Sequence, residues 1–315
     1  MESPSTHLEH SITVSAPPSA AFRVIADAVN WPHVFLPTIH LDREDLGGGE
    51  ERIHVWALAN DEVKAWTSIR NLDRDRLTVQ FRQEKSSPPI GAMSGQWIVE
   101  TQPNGGSLVR LLHDFSAIDD DPAALQWIAE ATDRNSQTEL ATLKAAAEHA
   151  DERDSLTVQW DDSVPSTGAA DDAYEFVWNA REWPVRLPHV GKMRLEEPEP
   201  NVQVMEMDTV TKDGSAHTTR SIRVGFPKRR IVYKQTKPPT LLSVHTGHFL
   251  IDETPEGFLL TSRHTAIIKP EAIAQVLGAD ATVQSAREYI ESALTANSRV
   301  TMEHAGAFAE AAKVG

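Results

Sequence analysis

The tripeptide Ser-Ile-Arg occurs at 68–70 and again at 221–223, about half the chain length apart. A guanidinium keeps its charge, donates up to five hydrogen bonds and accepts none, so it cannot act as a base. It is suited to binding a carbonyl oxygen and to stabilising the enolate or alkoxide that develops there. The serine of each tripeptide could bind a second oxygen or hold a water. The candidate catalytic residues are therefore Arg70, Ser68, Arg223 and Ser221.

Alternation in an extended strand places Trp66 on the same face as Ser68 and Arg70. In the second copy, Thr219 stands at the position of Trp66. Alternation does not decide which face of the strand is buried, so two interpretations stay open. The face is either a solvated surface that carries charge or the lining of a cavity. Burying an arginine without partners is costly, so an arginine in a cavity indicates a function there.

Two histidines occupy matched places on the last strand of each repeat, His113 beside Asp114 and His264. Histidine is the commonest general acid or base near neutral pH. A structural role is more frequent for a single histidine on a strand, and that alternative stays open. Flat aromatic side chains suit a flat, unsaturated ligand, although most tryptophans pack in cores. The candidate substrate contacts are Trp66, Trp31, Phe35, Trp97, Asp114, Thr219 and Trp183.

Several classes of chemistry are disfavoured by what the chain lacks. It has no cysteine, which removes disulfides, thiolate catalysis and cysteine-ligated metals. No H-x-x-x-H or HExxH pattern indicates a metal. No GxGxxG, P-loop or GxSxG motif indicates a nucleotide cofactor or a serine hydrolase. We therefore expect neither a metal nor a cofactor.

Charge and composition limit the kinds of partner that the chain is expected to bind. The net charge is −16, from 30 basic and 46 acidic residues, so the chain repels nucleic-acid backbones. It has no run of about 18 apolar residues that would predict a membrane span. The N-terminal MESPSTHLEHS lacks the basic and apolar regions of a signal peptide. The sequence predicts a cytoplasmic protein with no nucleic-acid or membrane partner.

The tripeptide belongs to a longer internal repeat. Blocks that keep their order at a nearly constant offset indicate a duplicated unit. The matched blocks are NWPHVFLP at 30–37 with EWPVRLP at 182–188, VQFRQEKSSPP at 79–89 with IVYKQTKPP at 231–239, and MSGQW at 93–97 with HTGHF at 245–249. Because a chain of 315 residues is long for one core, the repeat predicts two domains, 1–152 and 153–315.

Each repeat is predicted to contain a strand, one or two short helices, six strands and a long helix, which starts at Asp121-Pro122 in the first copy. The six strands of that copy are predicted at 39–46, 51–59, 62–71, 76–83, 93–101 and 107–117, with a hairpin turn at Asn60-Asp61. This is an α+β fold, in which a long C-terminal helix packs on one face of an antiparallel seven-stranded sheet. If the sheet is curved, a cavity remains between it and the helix, and such clefts bind small molecules.

These motifs together resemble one known family. The duplicated unit, the WP…LP loop, WTSIR, FRQE…PP, HDFSA and DRNS…LATLK are similar to the di-domain aromatase/cyclases of bacterial type II polyketide synthases. The resemblance covers nearly the whole chain. It implies two tandem helix-grip domains of the Bet v1-like (START-like) class, each an aromatase/cyclase domain with an internal cavity.

The resemblance also implies a reaction. Members of the family act on a poly-β-ketone carried as a thioester on acyl carrier protein, alongside the other type II polyketide synthase components. They close and aromatise the first ring by aldol condensation and loss of water, without a cofactor. Di-domain members are associated with closure between carbons seven and twelve, on chains that are either reduced or unreduced at carbon nine.

Residue roles in the first repeat follow from the same resemblance. Arg70, Ser68 and Trp66 match the family's cavity arginine, serine and aromatic residue. Arg70 would bind a ketone oxygen and stabilise the enolate or the aldol alkoxide. Water held by Ser68, or a nearby histidine such as His113, would move protons during dehydration.

The second repeat departs from the pattern at one position. Arg223 and Ser221 match the family, but Thr219 replaces the aromatic residue and implies a differently shaped cavity. Two rival hypotheses stay open. The chain could be a duplicated helix-grip protein that binds lipid or polyketide without chemistry. Alternatively, one domain is catalytic and the other serves dimerisation or carrier docking.

Overall fold

The computed structural model describes residues 6–59, 62–210 and 216–314. The chain divides into two compact units between Glu152 and Arg153. The predicted turn Asn60-Asp61 lies outside the described residues. Within the described ranges, no helix is both long enough and apolar enough to cross a membrane.

The first unit follows the predicted order of elements. Its strands and α-helices are β1 (Thr6–Val14), α1 (Pro18–Ala26), α2 (Trp31–Val34), β2 (Thr38–Gly47), β3 (Glu50–Ala59), β4 (Glu62–Asp73), β5 (Thr78–Lys85), β6 (Ile90–Thr101), β7 (Ser107–Ala117) and α3 (Pro122–Glu148). The long helix α3 begins as expected, since the Asp121 side chain accepts a hydrogen bond from the backbone N of Ala123 at 3.0 Å and caps it.

The second unit repeats this order after a short helix. Its elements are α4 (Ala150–Leu156), β8 (Thr157–Ser166), α5 (Ala170–Trp178), α6 (Trp183–Arg186), β9 (Val190–Glu199), β10 (Val202–Val210), β11 (Ala216–Phe226), β12 (Arg230–Lys237), β13 (Leu242–Thr254), β14 (Gly257–Ile268), α7 (Ile273–Leu277) and α8 (Val283–Val314). The additional helix α7 accounts for the extra residues of the second copy between its last strand and its long helix.

Each unit forms one antiparallel sheet of seven strands. The strand order is β1-β7-β6-β5-β4-β3-β2 in the first unit and β8-β14-β13-β12-β11-β10-β9 in the second. The long helices α3 and α8 pack on β1 and β7, and on β8 and β14, respectively. The short helices α1 and α5 pack against these long helices. The predicted α+β fold, two antiparallel seven-stranded sheets each with a C-terminal helix, is confirmed.

The core of the first unit lies between sheet and helices. Val79 and Leu111 of the sheet cluster with Ile25 of α1 and Leu143 of α3, and all four are 0% exposed. Burying one such side chain contributes about 1.5–3 kcal/mol, so apolar contacts hold both helices on this face of the sheet. Any polar group on the same face must therefore be satisfied inside the protein.

Several strand boundaries differ from the prediction: β6 begins at Ile90 rather than at 93, and β5 is shifted as a whole. β5 covers Thr78–Lys85, two residues later than the predicted 76–83. The Asp73 side chain accepts hydrogen bonds from the backbone N of Asp75 and of Arg76, at 3.1 and 2.9 Å. Leu77 then adopts a φ of +52°, so strand pairing begins only at Thr78. A turn closed by a side chain in this way interrupts a run whose alternation continues.

A glycine sits opposite an inward-facing aromatic ring in each sheet. Gly95 pairs with Phe81, and Gly247 pairs with Tyr233. A Cβ at Gly247 would lie 2.4 Å from the backbone O of Arg263 and 2.5 Å from Tyr233 Oη. The missing side chain therefore makes room for the tyrosine ring, and the equivalent close approach occurs at Gly95.

We predict that Gly247→Ala lowers the free energy of unfolding by about 1–3 kcal/mol, because the added methyl forces the Tyr233 ring and the neighbouring strand apart. The matched control is Gly48→Asn, since Gly48 has a φ of +63° that asparagine tolerates and nothing within 4 Å of its Cβ position. Chemical denaturation of both variants measures the effect. Equal stability of Gly247→Ala and wild type would contradict the packing argument.

Candidate active site

Both arginines of the repeated tripeptide lie inside the protein. Arg70 is 1% exposed and Arg223 is 2% exposed. Their serines are buried as well, with Ser68 at 3% and Ser221 at 4%. The solvated-surface interpretation of this strand face is therefore wrong, because the face packs against the helices.

Arg70 is held by three kinds of partner. Its Nη2 donates to the backbone O of Ile25, near the end of α1, at 2.7 Å. Its Nη1 forms an ion pair with Glu51 Oε1 at 3.0 Å, and its guanidinium lies 4.7 Å from the centroid of the Trp31 ring. Carbonyls at a helix C-terminus lack partners within the helix and attract positive charge. Arg70 thus ties β4 to α1 and to the WP loop.

Arg223 repeats this arrangement with one change of partner. Its Nη2 donates to the backbone O of Val177 in α5, and its guanidinium lies 5.0 Å from the centroid of the Trp183 ring. Its Nη1 donates to Gln203 Oε1 at 2.7 Å. Burial lowers the pKa of Arg223, like that of Arg70, to about 10, so both remain charged at neutral pH.

The partner across the strand pair is the residue that our sequence analysis missed. Glu51 pairs in register with Arg70, and Gln203 pairs in register with Arg223. Glu51 is 5% exposed, and its other oxygen lies 3.6 Å from Arg43 Nε. The predicted two-residue turn between β3 and β4 already implied this pairing, because it fixes the register back along both strands. The first interior therefore holds an arginine paired with a carboxylate, and the second holds an arginine paired with a neutral amide.

The second unit contains a cavity of about 110 Å³ in its interior. It brings together the predicted residues of that repeat, namely Arg223, Ser221, Thr219, His264 and Trp183. The remaining lining mixes apolar side chains, such as Met205, Met207, Phe249 and Leu294, with polar ones, such as Asn297 and Thr301. Apolar walls with a few convergent polar groups are typical of small-molecule sites.

His264 lies at the centre of a hydrogen-bonded group. Its Nδ1 is 3.1 Å from Tyr233 Oη and 3.1 Å from His245 Nε2, and its Nε2 is 3.1 Å from Ser262 Oγ. The Trp160 ring stacks on it, with centroids 5.0 Å apart. Burial lowers the pKa of His264 to about 4, so it is neutral at physiological pH. Both ring nitrogens are occupied by protein groups.

His113 sits at the equivalent place in the first unit but in apolar surroundings. The Phe81 ring meets it edge-on, with centroids 5.4 Å apart, and its buried Nδ1 has no hydrogen-bond partner among the described residues. Burial lowers the pKa of His113 to about 4.

Asp114, which we predicted as a substrate contact beside His113, points to the opposite face of the sheet. It is 3.1 Å from His7 Nδ1 and lines an open hollow of about 470 Å³ on the outer face of the first sheet. Successive strand residues alternate in direction, so His113 and Asp114 cannot share one interior. Asp114 is therefore not part of the interior that contains His113.

The predicted aromatic contacts divide into core and site. Phe35 is 2% exposed and Trp97 is 5% exposed, and both pack in the first hydrophobic core. Trp31 stacks on Arg70, and its Nε1 donates to the backbone O of Val24 at 3.1 Å. Trp66 is half-buried beside the apolar cluster of β2 and β3. Trp31 and Trp66 thus lie on the arginine side of the interior, whereas Phe35 and Trp97 are packing residues.

Glu139 of α3 is a second residue that our sequence analysis missed. Burial raises the pKa of its carboxyl to about 7, although its side chain keeps some accessible surface. It follows Asn135 by the same four residues that separate Thr301, a cavity-lining residue, from Asn297. A desolvated but accessible carboxyl at this position fits the lining of the first interior. The alignment of the two long helices could have identified Glu139, because it matches Glu139 with the cavity-lining Thr301.

Over residues 6–59, 62–210 and 216–314, the structure contains no group of three or more His, Cys, Asp or Glu residues arranged to hold a metal ion. The groups that remain available are buried guanidinium, hydroxyl, imidazole and carboxyl groups. Such a set can stabilise an oxyanion and move protons within a desolvated pocket.

The fold and this interior define the class: a tandem helix-grip protein with polar groups gathered in the interior cavity of its second unit. A family described as polyketide cyclase/dehydrase and lipid transport matches residues 5–148. The granaticin polyketide synthase bifunctional cyclase/dehydratase of Streptomyces violaceoruber is 44% identical, covering 99% of this chain and 97% of that protein. The actinorhodin counterpart of Streptomyces coelicolor is 43% identical, covering 98% and 99%.

Two crystal structures are similar over their full length. The di-domain ARO/CYC BexL of the BE-7585A pathway has a TM-score of 0.86 and 46% identity, covering 97% of this chain and 99% of that one. The di-domain ARO/CYC StfQ of the steffimycin pathway has a TM-score of 0.87 and 36% identity, covering 98% and 100%. The chain belongs to the polyketide cyclase/dehydrase family, as a di-domain aromatase/cyclase of the type II synthase kind. The predictions of this family and of an enzymatic role are confirmed.

We predict that Glu51→Ala destabilises the first unit by about 3–5 kcal/mol, because it leaves the buried Arg70 charge without its carboxylate. Glu51→Gln is the matched variant, since it copies Gln203 of the second unit, and it should cost clearly less. Thermal and denaturant unfolding of both proteins tests this. Equal losses in the two variants would show that the ion pair does not stabilise this interior.

The lowered pKa of His113 predicts a loss of stability in acid. Between pH 6.5 and about 4 the unfolded chain binds a proton at this residue that the folded chain does not. The contribution is therefore complete above pH 6.5 and decreases as the pH falls towards 4. His113→Gln should flatten the pH dependence of the unfolding free energy in this window. Substitution of the exposed His149 by Gln is the control, and an identical slope in all three proteins would contradict the assignment.

Proposed function

We propose that this chain closes and aromatises the first ring of a poly-β-ketone carried as a thioester on acyl carrier protein. The observation that carries the proposal is the second cavity, where Arg223, Ser221 and His264 line one interior space together with apolar side chains. The similarity to bifunctional cyclase/dehydratases of the granaticin and actinorhodin synthases supports the reaction type. The proposal takes 1–152 and 153–315 as two aromatase/cyclase domains.

The proposed chemistry uses the buried charge of each arginine. Ring closure joins an enolate carbon to a ketone carbon and leaves an alkoxide on the ketone oxygen. A guanidinium in a low-dielectric interior stabilises that charge far better than water does. Arg223 directs two of its nitrogens to protein oxygens, which fixes the position of the charge relative to the Ser221 hydroxyl. The hydroxyl can then donate to the same oxygen or to its neighbour.

Enolisation of the ketone chain also requires proton transfer, for which the first interior offers Glu139. A carboxyl whose pKa is raised to about 7 can give or accept a proton at neutral pH. His113, whose pKa is lowered to about 4, would serve as a neutral acceptor rather than as an acid. The two groups together would let the first interior enolise the ketone chain and reprotonate the product.

Specificity follows from positioning the chain. Poly-β-ketones cyclise without help, so the enzyme chiefly decides which carbons meet, and orientation is the larger part of its contribution. We propose closure between carbons seven and twelve, on a chain presented by the carrier protein with the other synthase components in the cytoplasm. Trp66 in the first unit and Thr219 in the second would give the two cavities different shapes.

The product profile of a reconstituted type II synthase tests the proposal. Ser68→Ala and Ser221→Ala leave the arginine contacts intact, while Arg70→Ala and Arg223→Ala are added after circular dichroism has shown that they fold. Removing an oxyanion donor costs about 10²–10³ in rate, so chains should be diverted to spontaneously cyclised products. Ser94→Ala on the outer face is the control. Wild-type products from all four variants would favour the non-catalytic binding protein.

A further inference from the structure

Tyr233 of β12 is a cavity residue whose hydroxyl belongs to a directed chain of hydrogen bonds. Tyr233, His245 and Gln235 all line the second cavity with Arg223 and Ser221. His245 Nδ1 is 2.8 Å from Gln235 Oε1. An amide oxygen only accepts, so His245 Nδ1 carries the hydrogen. The direction of every following hydrogen bond is then determined.

Burial holds the pKa of His245 well below its ordinary value, so the ring is neutral and its Nε2 has no hydrogen. The facing His264 Nδ1, at 3.1 Å, must therefore donate to it. His264 is neutral too, which leaves its Nε2 as an acceptor for Ser262 Oγ at 3.1 Å. All ring nitrogens of the two histidines are thus assigned.

These assignments determine the hydrogen-bonding role of the Tyr233 hydroxyl. Tyr233 Oη lies 3.1 Å from the same His264 Nδ1, so the phenol oxygen shares that one hydrogen with His245 Nε2 as a second acceptor of a three-centre hydrogen bond. Its own hydrogen is not used in this contact and is free to be donated into the cavity. Burial raises the pKa of Tyr233, which keeps the hydroxyl protonated at neutral pH. The ring itself is confined by Gly247, which leaves space for it.

The first unit lacks this device because three of its members are replaced at the matched positions. The residue across from the arginine is Phe81 in the first unit and Tyr233 in the second. Two residues before the paired glycine, Met93 replaces His245, and two residues before the histidine, Leu111 replaces Ser262. The strand pairing around these positions is the same in both units. The two interiors therefore differ in the side chains that can donate a proton.

We propose that Tyr233 is the catalytic proton donor for dehydration, that His264 and His245 position it, and that the dehydration step belongs to the second unit. This inference rests on the proposed function and deepens it. The substrate class is the cyclised β-hydroxy ketone in its enol form. The bond between the β-carbon and its hydroxyl oxygen breaks, that oxygen takes the Tyr233 proton, and water leaves. The enol hydroxyl becomes a carbonyl, and its proton returns to Tyr233 Oη.

The test is Tyr233→Phe, which places the residue of the first unit at this site and keeps the ring that fills the space beside Gly247. In the reconstituted synthase we expect ring closure to continue and a product heavier by one water to accumulate. Dehydration should slow by about 10²-fold, at the lower end of what general acids supply. Tyr174→Phe is the control, because Tyr174 Oη is buried without a hydrogen-bond partner and lies outside the cavity.

The outcomes separate this inference from the proposed function. If wild-type protein does not change the products of the synthase, the proposed function fails, whatever Tyr233 does. If wild type acts and Tyr233→Phe matches it in rate and product, the proton-donor role is overturned. If Tyr233→Phe abolishes ring closure itself, the assignment of dehydration alone to the second unit is overturned.

The positioning role of His245 has its own readout. His245→Met copies the first unit and removes the acceptor that fixes the hydrogen on His264 Nδ1. We expect kcat for dehydration to fall while KM stays within about twofold, because substrate contacts are kept. His245→Gln, which retains an acceptor oxygen, should recover part of the rate. A parallel rise in KM with unchanged kcat in both variants would show that His245 only shapes the cavity.

Discussion

Each unit depends on one buried guanidinium. Arg70 and Arg223 reach from the fourth strand of their sheet to the carbonyls at the end of the first helix and to the ring of the WP tryptophan. A charge in such a place is stable only when its partners are in position, so the helix, the loop and the sheet must assemble together. The same requirement holds a charge in the interior where an enolate would form. In the proposed function, each unit therefore uses the same arginine for its structure and for its chemistry.

The two units keep this frame and change what surrounds it. Glu51 pairs a carboxylate with the arginine of the first interior, while Gln203 pairs a neutral amide with that of the second. Around the matched histidines, the first interior is apolar and the second carries a directed hydrogen-bond chain. Substitutions at these positions alter electrostatics without changing strand register, because each replaces a side chain on an inward face. A duplicated fold can thus divide one reaction sequence between two cavities.

Four groups in these interiors have pKa values that are strongly shifted by burial. His113, Glu139, Tyr233 and His264 are all displaced by burial in the direction that favours their neutral forms. Clusters of this kind are characteristic of functional sites. The larger hollow of about 470 Å³ lies on the outer face of the first sheet, away from these groups. The desolvated interiors are therefore where the chemistry is expected.

The sequence by itself determined the duplication, the order of elements and the strand face shared by Ser68 and Arg70, because these follow from periodicity and local turn chemistry. Tertiary structure decided that this strand face is interior. It placed Asp114 on the outer face of the sheet, and it placed Glu51 and Glu139 in the interior. It also decided the contacts of Tyr233 with His264, since residues far apart in sequence meet only through sheet pairing. Alternation defines two faces of a strand, but only packing against a helix determines which one is buried.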